Sequence, residues 1–189
     1  MKAIGIVFFS AGGATRLLAE QIGEGIISEG HQYKLFEVSG ADITEGRYTN
    51  QALLEKLGQC DGIIFGSPTY MGAAAGQFKS FMDASSDEYV KQAWNNKIAA
   101  GFTTGGSLNG EQQQTLLSFF TLAMQHGMLW VGLNSTKHID DLKLNRTGSS
   151  IGLVASVDPS NGIVHDNDLK TGFYFGQRIA ALIPLCTNH

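Results

Sequence analysis

VFFSAGGATRLLAEQ, Val7 to Gln21, decides the fold, because it passes from an apolar run to a helical pattern through six small residues, Ser10 to Thr15. Upstream, Ala3 to Phe9 is a continuous apolar run with β-branched and aromatic members, as expected of a strand covered on both faces. Downstream, Leu17, Leu18, Ile22, Ile26 and Ile27 recur at helical spacing, and Gly30 marks a stop. A turn this bare fits an anion held by backbone amides, a tight structural corner, or the cleavage region of a signal peptide. The third reading is set aside. A single Lys2 precedes an apolar stretch of seven residues that ends at Phe9, the bottom of the roughly 7–15 apolar residues that export needs.

The same alternation continues along the chain. Tyr33 to Val38 is a second strand candidate, followed by a polar loop through Asn50 and a short helix over Ala52 to Leu57. Asp61 to Gly66 is a third strand, and a helix runs from about Gln77 towards Tyr89. Lys97 to Thr104 is a fourth strand, Glu111 to His126 a fourth helix, Met128 to Leu133 a fifth strand and Asn167 to Ile183 the closing helix. Between Asn134 and Asp166 the pattern weakens around IGLVASV, which is either the second half of an interrupted fifth strand or a β excursion. Alternating strands and helices specify an α/β fold, a doubly wound parallel sheet with helices on both faces. With no linker or repeat, all 189 residues read as one domain.

Composition narrows the partners. A formal net charge of −4 gives no basic footprint for nucleic acid or an anionic membrane. No run approaches the roughly 18 apolar residues of a membrane span. Cys60 and Cys186 lie far apart without metal-ligand spacing, which fits a reducing, cytoplasmic compartment and no metal. Both cysteines read as buried or incidental. The cluster of Asp83, Asp87 and Glu88 lacks the spacing of a calcium loop and reads as a solvated helix end.

In an open α/β sheet, ligands bind outside the carboxyl ends of the strands. Three loops at that edge share one composition: SAGGAT after the first strand, SPTYMGAAAG after the third and TTGGSLNG after the fourth. Any one of them could be a bland glycine corner. Three together suit a pocket that admits a polar ligand against the backbone. Ser10 to Thr15 has the parts of a phosphate cradle, small residues between hydroxyls with a helix N-terminus immediately after. No lysine follows the glycines as a triphosphate loop requires, and GGATRL lacks the third glycine of a dinucleotide fingerprint. A monophosphate held by neutral hydrogen bonds remains.

Ser10, Gly13 and Thr15, spaced Ser-x-x-Gly-x-Thr, resemble the phosphate loop of flavodoxin-like FMN proteins. Phe65 to Asp83 (FGSPTYMGAAAGQFKSFMD), AGFTTGG with GEQQQT, and QHGM at Gln125 to Met128 resemble, in order and separation, the WrbA-type NAD(P)H:quinone oxidoreductases and the broader NADPH-dependent FMN reductases. The resemblance spans essentially the whole chain and implies a five-stranded flavodoxin-like sheet of order 2-1-3-4-5. It also implies that Ser10, Gly12, Gly13, Ala14 and Thr15 hold the FMN phosphate. Pro68, Thr69, Tyr70, Met71 and Gly72 line the isoalloxazine, and Thr103, Thr104, Gly105, Gly106, Ser107, Asn109 and Gly110 contact the ribityl chain and ring edge. His126 corresponds to a histidine near the flavin's exposed face that often reaches a neighbouring subunit's site, as a candidate proton donor. Tyr89 falls where relatives commonly have a tryptophan beside the substrate.

Two departures accompany the match. Relatives usually carry an aromatic that stacks on the nicotinamide where this chain has Gly12, and larger polar or basic residues at Ala14 and Tyr70. The implied activity is hydride transfer from NAD(P)H through FMN to a quinone-like acceptor, in a homodimer or homotetramer. The competing expectations are an electron-transfer flavodoxin and a flavin-binding sensor. Taken alone, His126 reads as a satisfied helix-end histidine, and its place in QHGM is what raises the site reading beside it; Tyr89 and Trp94 read as surface or subunit-contact aromatics, and Gly23, Gly25 and Gly30 as packing residues in a helical pattern rather than a second fingerprint.

Overall fold

The computed structural model describes residues 1–135 and 141–186. Strands β1 (Ala3–Phe8), β2 (Gln32–Glu37), β3 (Gly62–Tyr70) and β4 (Ile98–Gly105) form a parallel sheet in the order β2-β1-β3-β4. Two short strands share the far edge. β5 (Leu129–Trp130) pairs with Ile98 and Ala99, and β6 (Leu153–Ser156) pairs with Phe102 to Gly105 further along the same side of β4. The fifth position of the 2-1-3-4-5 order is therefore one strand interrupted by an insertion, and IGLVASV is its second half. Of the weakly patterned segment expected over 134–166, residues 136–140 lie outside the described residues.

Period-two alternation divides the buried side chains between two cores. Ile4, Ile6 and Phe8 face helices α1 (Ala14–Ser28) and α6 (Asp166–Cys186), with Leu18, Ile22, Phe175 and Ile179. Val7, Ile63 and Phe65 face α2 (Gln51–Gly58), α3 (Gly76–Ala84), α4 (Ser86–Val90) and α5 (Gln112–Gln125), with Leu57, Phe78, Phe81, Trp94 and Phe119. Helices α1 and α6 approach so closely that a Cβ on Gly25 would stand 1.9 Å from the carbonyl oxygen of Phe173. The glycines inside α1 are packing residues, as their helical setting implied.

Local chemistry explains where elements end differently from the sequence pattern. β3 runs to Tyr70 rather than Gly66, because Ser67 and Pro68 remain in register with Thr103 and Thr104. The chain then reverses through Met71 (φ 48) and Gly72 (φ 79), a two-residue left-handed turn that pairs Thr69 and Tyr70 with Ala74 and Ala73. The helix expected from Gln77 to Tyr89 breaks at Ser85, whose hydroxyl donates to the Met82 carbonyl. The polar loop before α2 holds a miniature hairpin, Ile43–Thr44 against Arg47–Tyr48. Two surface expectations are corrected: Trp94 is completely buried, and Glu88 is buried against Lys91 and Gln51 rather than solvated. Cys60 is buried, while the side chain of Cys186 lies outside the described residues.

Candidate FMN site

The first bend is built from main chain. Gly13 holds the left-handed conformation (φ 89, ψ −24) as the residue preceding α1, where a β-branched side chain would be strained. The first turn of any helix leaves N–H groups without intrahelical acceptors. Here the Arg16 amide donates to the Ser10 hydroxyl at 3.3 Å, while the earlier amides stand at the mouth of the helix. No acidic side chain occupies this first turn. An anion there meets donors and the positive end of the helix dipole.

The side chains at the bend are already engaged. Thr15 is buried and shares a hydrogen bond of 2.8 Å with the Thr104 hydroxyl, which ties the first bend to the third. Arg16 is the nearest cation in sequence, but its guanidinium pairs with Glu37 and lies 5.6 Å from the centre of the Phe8 ring. The cradle therefore offers amides rather than a free positive charge. A Cβ on Gly12 would meet nothing within 4 Å, so the space beside it is open.

Beneath the second and third bends runs a directed chain of hydroxyls. Thr103 donates to the Ser67 carbonyl at 2.7 Å, and each hydroxyl has one proton to give. Thr69 must then donate to Thr103 at 2.8 Å, and Thr115 to Thr69 at 2.8 Å. Thr115, which the sequence pattern did not single out, thus anchors the end of β3 from within α5. Thr69 spends its hydroxyl on this scaffold, so what it presents to a ligand is backbone and methyl; Thr103, expected at the ribityl chain, is fully buried and lines neither hollow, its hydroxyl acting as part of the scaffold.

These bends enclose a cavity of about 360 Å³ lined by Gly12, Ala14, Thr15, Pro68, Tyr70 and Thr104, among others. It lies within the size range of cofactor pockets, roughly 300–1,000 Å³. An adjoining hollow of about 410 Å³ shares Thr69, Gly105 and Gly106 with it and adds Met71, Gly72 and Ser107. Tyr70 is half exposed and Met71 wholly so, and the two form the ridge between the hollows. Of the expected site residues, Asn109 is turned elsewhere: its amide donates to the Thr147 carbonyl and accepts from Gln113. Gly110 lines neither hollow and starts the turn into α5. The sequence reading missed Val157, Pro159 and Gly162, which line the first cavity from beyond β6.

His126 and Tyr89 are brought together, but apart from these bends. His126 is the residue after α5, a helix of 14 residues that begins beside the bends and so carries it about 20 Å away. There it lines a separate hollow of about 190 Å³ with Ser85, Tyr89 and Gln125. Its ring stacks on Trp94 at 4.2 Å and meets Tyr89 edge-on at 6.0 Å. Ser85 already donates to Met82, so at 3.0 Å it accepts from His126 Nε2–H, leaving Nδ1 buried with no partner among the described residues. Burial pushes the His126 pKa down to about 4 against the opposing pull of Glu88, and the ring is neutral at pH 7.

Comparison with known proteins places this geometry. Residues 1–135 match the NADPH-dependent FMN reductase family. The chain belongs to that family. It is 35% identical to the flavodoxin FldP of Pseudomonas aeruginosa, with 96% of each chain covered. It is 30% identical to an NAD(P)H dehydrogenase (quinone) of Archaeoglobus fulgidus, over 95% of this chain and 96% of the relative. Among solved structures it is similar to a flavodoxin, WrbA-like protein from Agrobacterium tumefaciens, with a TM-score of 0.75 and 31% identity over 99% of this chain and 100% of that one. All three bends of this FMN reductase family member fall within the matched residues; the segment carrying Val157, Pro159 and Gly162 falls outside them. No helix among the described residues is long and apolar enough to cross a membrane.

Proposed function

We propose that this chain is an FMN-dependent oxidoreductase that takes hydride from NAD(P)H and delivers two electrons to a quinone-like acceptor by a ping-pong mechanism. The observation that carries the reading is the convergence of three small-residue bends on one cavity at the carboxyl edge of the sheet. FMN supplies the redox chemistry when bound. The amides of Gly12, Gly13, Ala14 and Thr15 hold its phosphate, with Ser10 capping the helix behind them and Gly110 turning the chain back into α5. Pro68, Thr69, Tyr70, Met71 and Gly72 form one wall for its ring system, and Thr104 to Ser107 the other. The hydroxyl chain from Thr115 to Ser67 fixes these walls, so that proximity and orientation carry the rate effect. No side-chain nucleophile is required.

His126 and Tyr89 lie too far from the cavity of their own protomer to act in it. We assign them to the acceptor end of a neighbouring protomer's site, in the homodimer or homotetramer that the family resemblance implies. Two readings compete over turnover. The name of the Pseudomonas relative supports an electron-transfer flavodoxin, whereas the names of the other relatives, together with the modest charge, support an enzyme. NAD(P)H oxidation by FMN-loaded protein, with and without benzoquinone, separates them. Rapid benzoquinone-dependent turnover supports the enzyme; bound flavin without turnover supports the carrier.

A further inference from the structure

Beyond the three bends, one wall of the cavity has no assigned role. Strand β6 runs out into a hairpin whose legs meet at an antiparallel bridge between Val157 and Val164. Val157, Pro159 and Gly162 of this hairpin line the same cavity as Ala11 and Gly12 of the cradle. They do not line the adjoining hollow beyond Thr69, where Met71, Ser107 and Glu111 stand. The hairpin therefore walls the cavity that contains the cradle, not the adjoining hollow.

Its base and its tip are held differently. At the base, Val157 N–H donates to the Gly105 carbonyl at 2.8 Å and Ser156 N–H to the buried Asp168 carboxylate at 2.9 Å. Arg146 bridges that carboxylate at 2.8 Å and the Ser156 hydroxyl. At the tip, Asp158 accepts from the Ser160 amide and hydroxyl and from the Asn161 side chain. Among the described residues, the hydrogen bonds of 158–162 close within the hairpin, and these residues are exposed. A self-contained tip on a pinned base is a unit that can lie against a ligand without deforming the sheet.

The chemistry of the cradle gives this unit a task. With Arg16 paired to Glu37 and no lysine or arginine among the described residues that line the cavity, a dianionic phosphate gains amide hydrogen bonds but no free cation from them. Retention of the nucleotide then depends on how well water is kept from those amides. We infer that the Val157–Val164 hairpin is a fourth FMN-binding element that closes the cradle end of the cavity and slows release of the nucleotide. Val157 and Pro159 supply apolar cover, and Gly162 lets backbone approach closely. The inference rests on the FMN reading above and deepens it.

The test pairs two readouts. Amide hydrogen exchange of residues 158–162 is measured in the wild-type protein with and without FMN, and FMN release is followed by the return of flavin fluorescence in wild type and Asp158→Ala. That substitution removes the acceptor that shapes the tip without removing a cavity-lining residue. Slower exchange in the hairpin on adding FMN, with release from the variant faster by about threefold to tenfold, is expected, since such changes fall mainly on dissociation rates. FMN that binds while hairpin exchange stays unchanged overturns the inference and leaves the FMN assignment intact, even if the variant fails to fold. Absence of FMN binding to the wild-type protein defeats the FMN assignment itself, and the inference with it.

Discussion

The cavity at the carboxyl edge and the hollow around His126 are built from opposite materials. The first is a main-chain device: a left-handed glycine, exposed helix-start amides and bends whose hydroxyls are consumed in fixing one another. The second is a side-chain device, in which a neutral histidine is held between the Trp94 and Tyr89 rings with Ser85 at Nε2. Main-chain sites are sensitive to backbone conformation and little affected by pH near neutrality. Side-chain sites respond to titration.

The largest effect is expected at the histidine. Its folded pKa of about 4 lies below the ordinary value of 6.5, so the unfolded chain binds the proton more readily. Stability is then independent of this group above pH 6.5 and falls as pH drops through 6.5 towards 4, by on the order of 3 kcal/mol. Urea unfolding at successive pH values should show this fall in wild type and lack it in His126→Gln. FMN affinity measured between pH 6.5 and 8 should stay flat in both proteins.

Next comes the cradle. Gly13→Val forces a β-branched residue to φ 89, and FMN affinity is expected to fall roughly tenfold to a hundredfold with little change in the His126 hollow. Fluorescence titration checks the first part, and the pH profile of unfolding the second. Thr115→Val keeps the shape of the side chain and removes the first donor of the hydroxyl chain. It should cost about 1 kcal/mol of stability in denaturant unfolding. The smallest effect is expected from Glu37→Gln, which releases Arg16 towards the cradle. FMN binding should tighten a few-fold and become more salt-dependent, as a half-exposed charge allows.

The same division explains what could be read from the residues beforehand. Strands β1, β3 and β4 are buried on both faces, so their apolar runs announced them, and the small residues of SAGGAT, SPTYMG and TTGG marked the bends because backbone approach demands them. β5 was legible only as a longer run, since its edge is shared with a strand returning after an insertion. Val157, Pro159 and Gly162 carry no composition that distinguishes a cavity wall from a surface turn. Thr115 looked like any polar residue in an amphipathic helix, and its role appears only when α5 is laid over the end of β3. The His126 hollow had no local pattern at all; the motif resemblance pointed to its residues, and burial of Trp94 and Ser85 supplied the physics.

The most direct measurement is an amide chemical-shift map of the protein titrated with FMN. Shifts are expected at Gly12 to Thr15, Tyr70 to Gly72 and Gly105 to Ser107, with the largest at the start of α1. Saturable shifts confined to the Trp94–His126 region, with the α1 amides unmoved, would contradict the assignment of the three bends as the cofactor's seat.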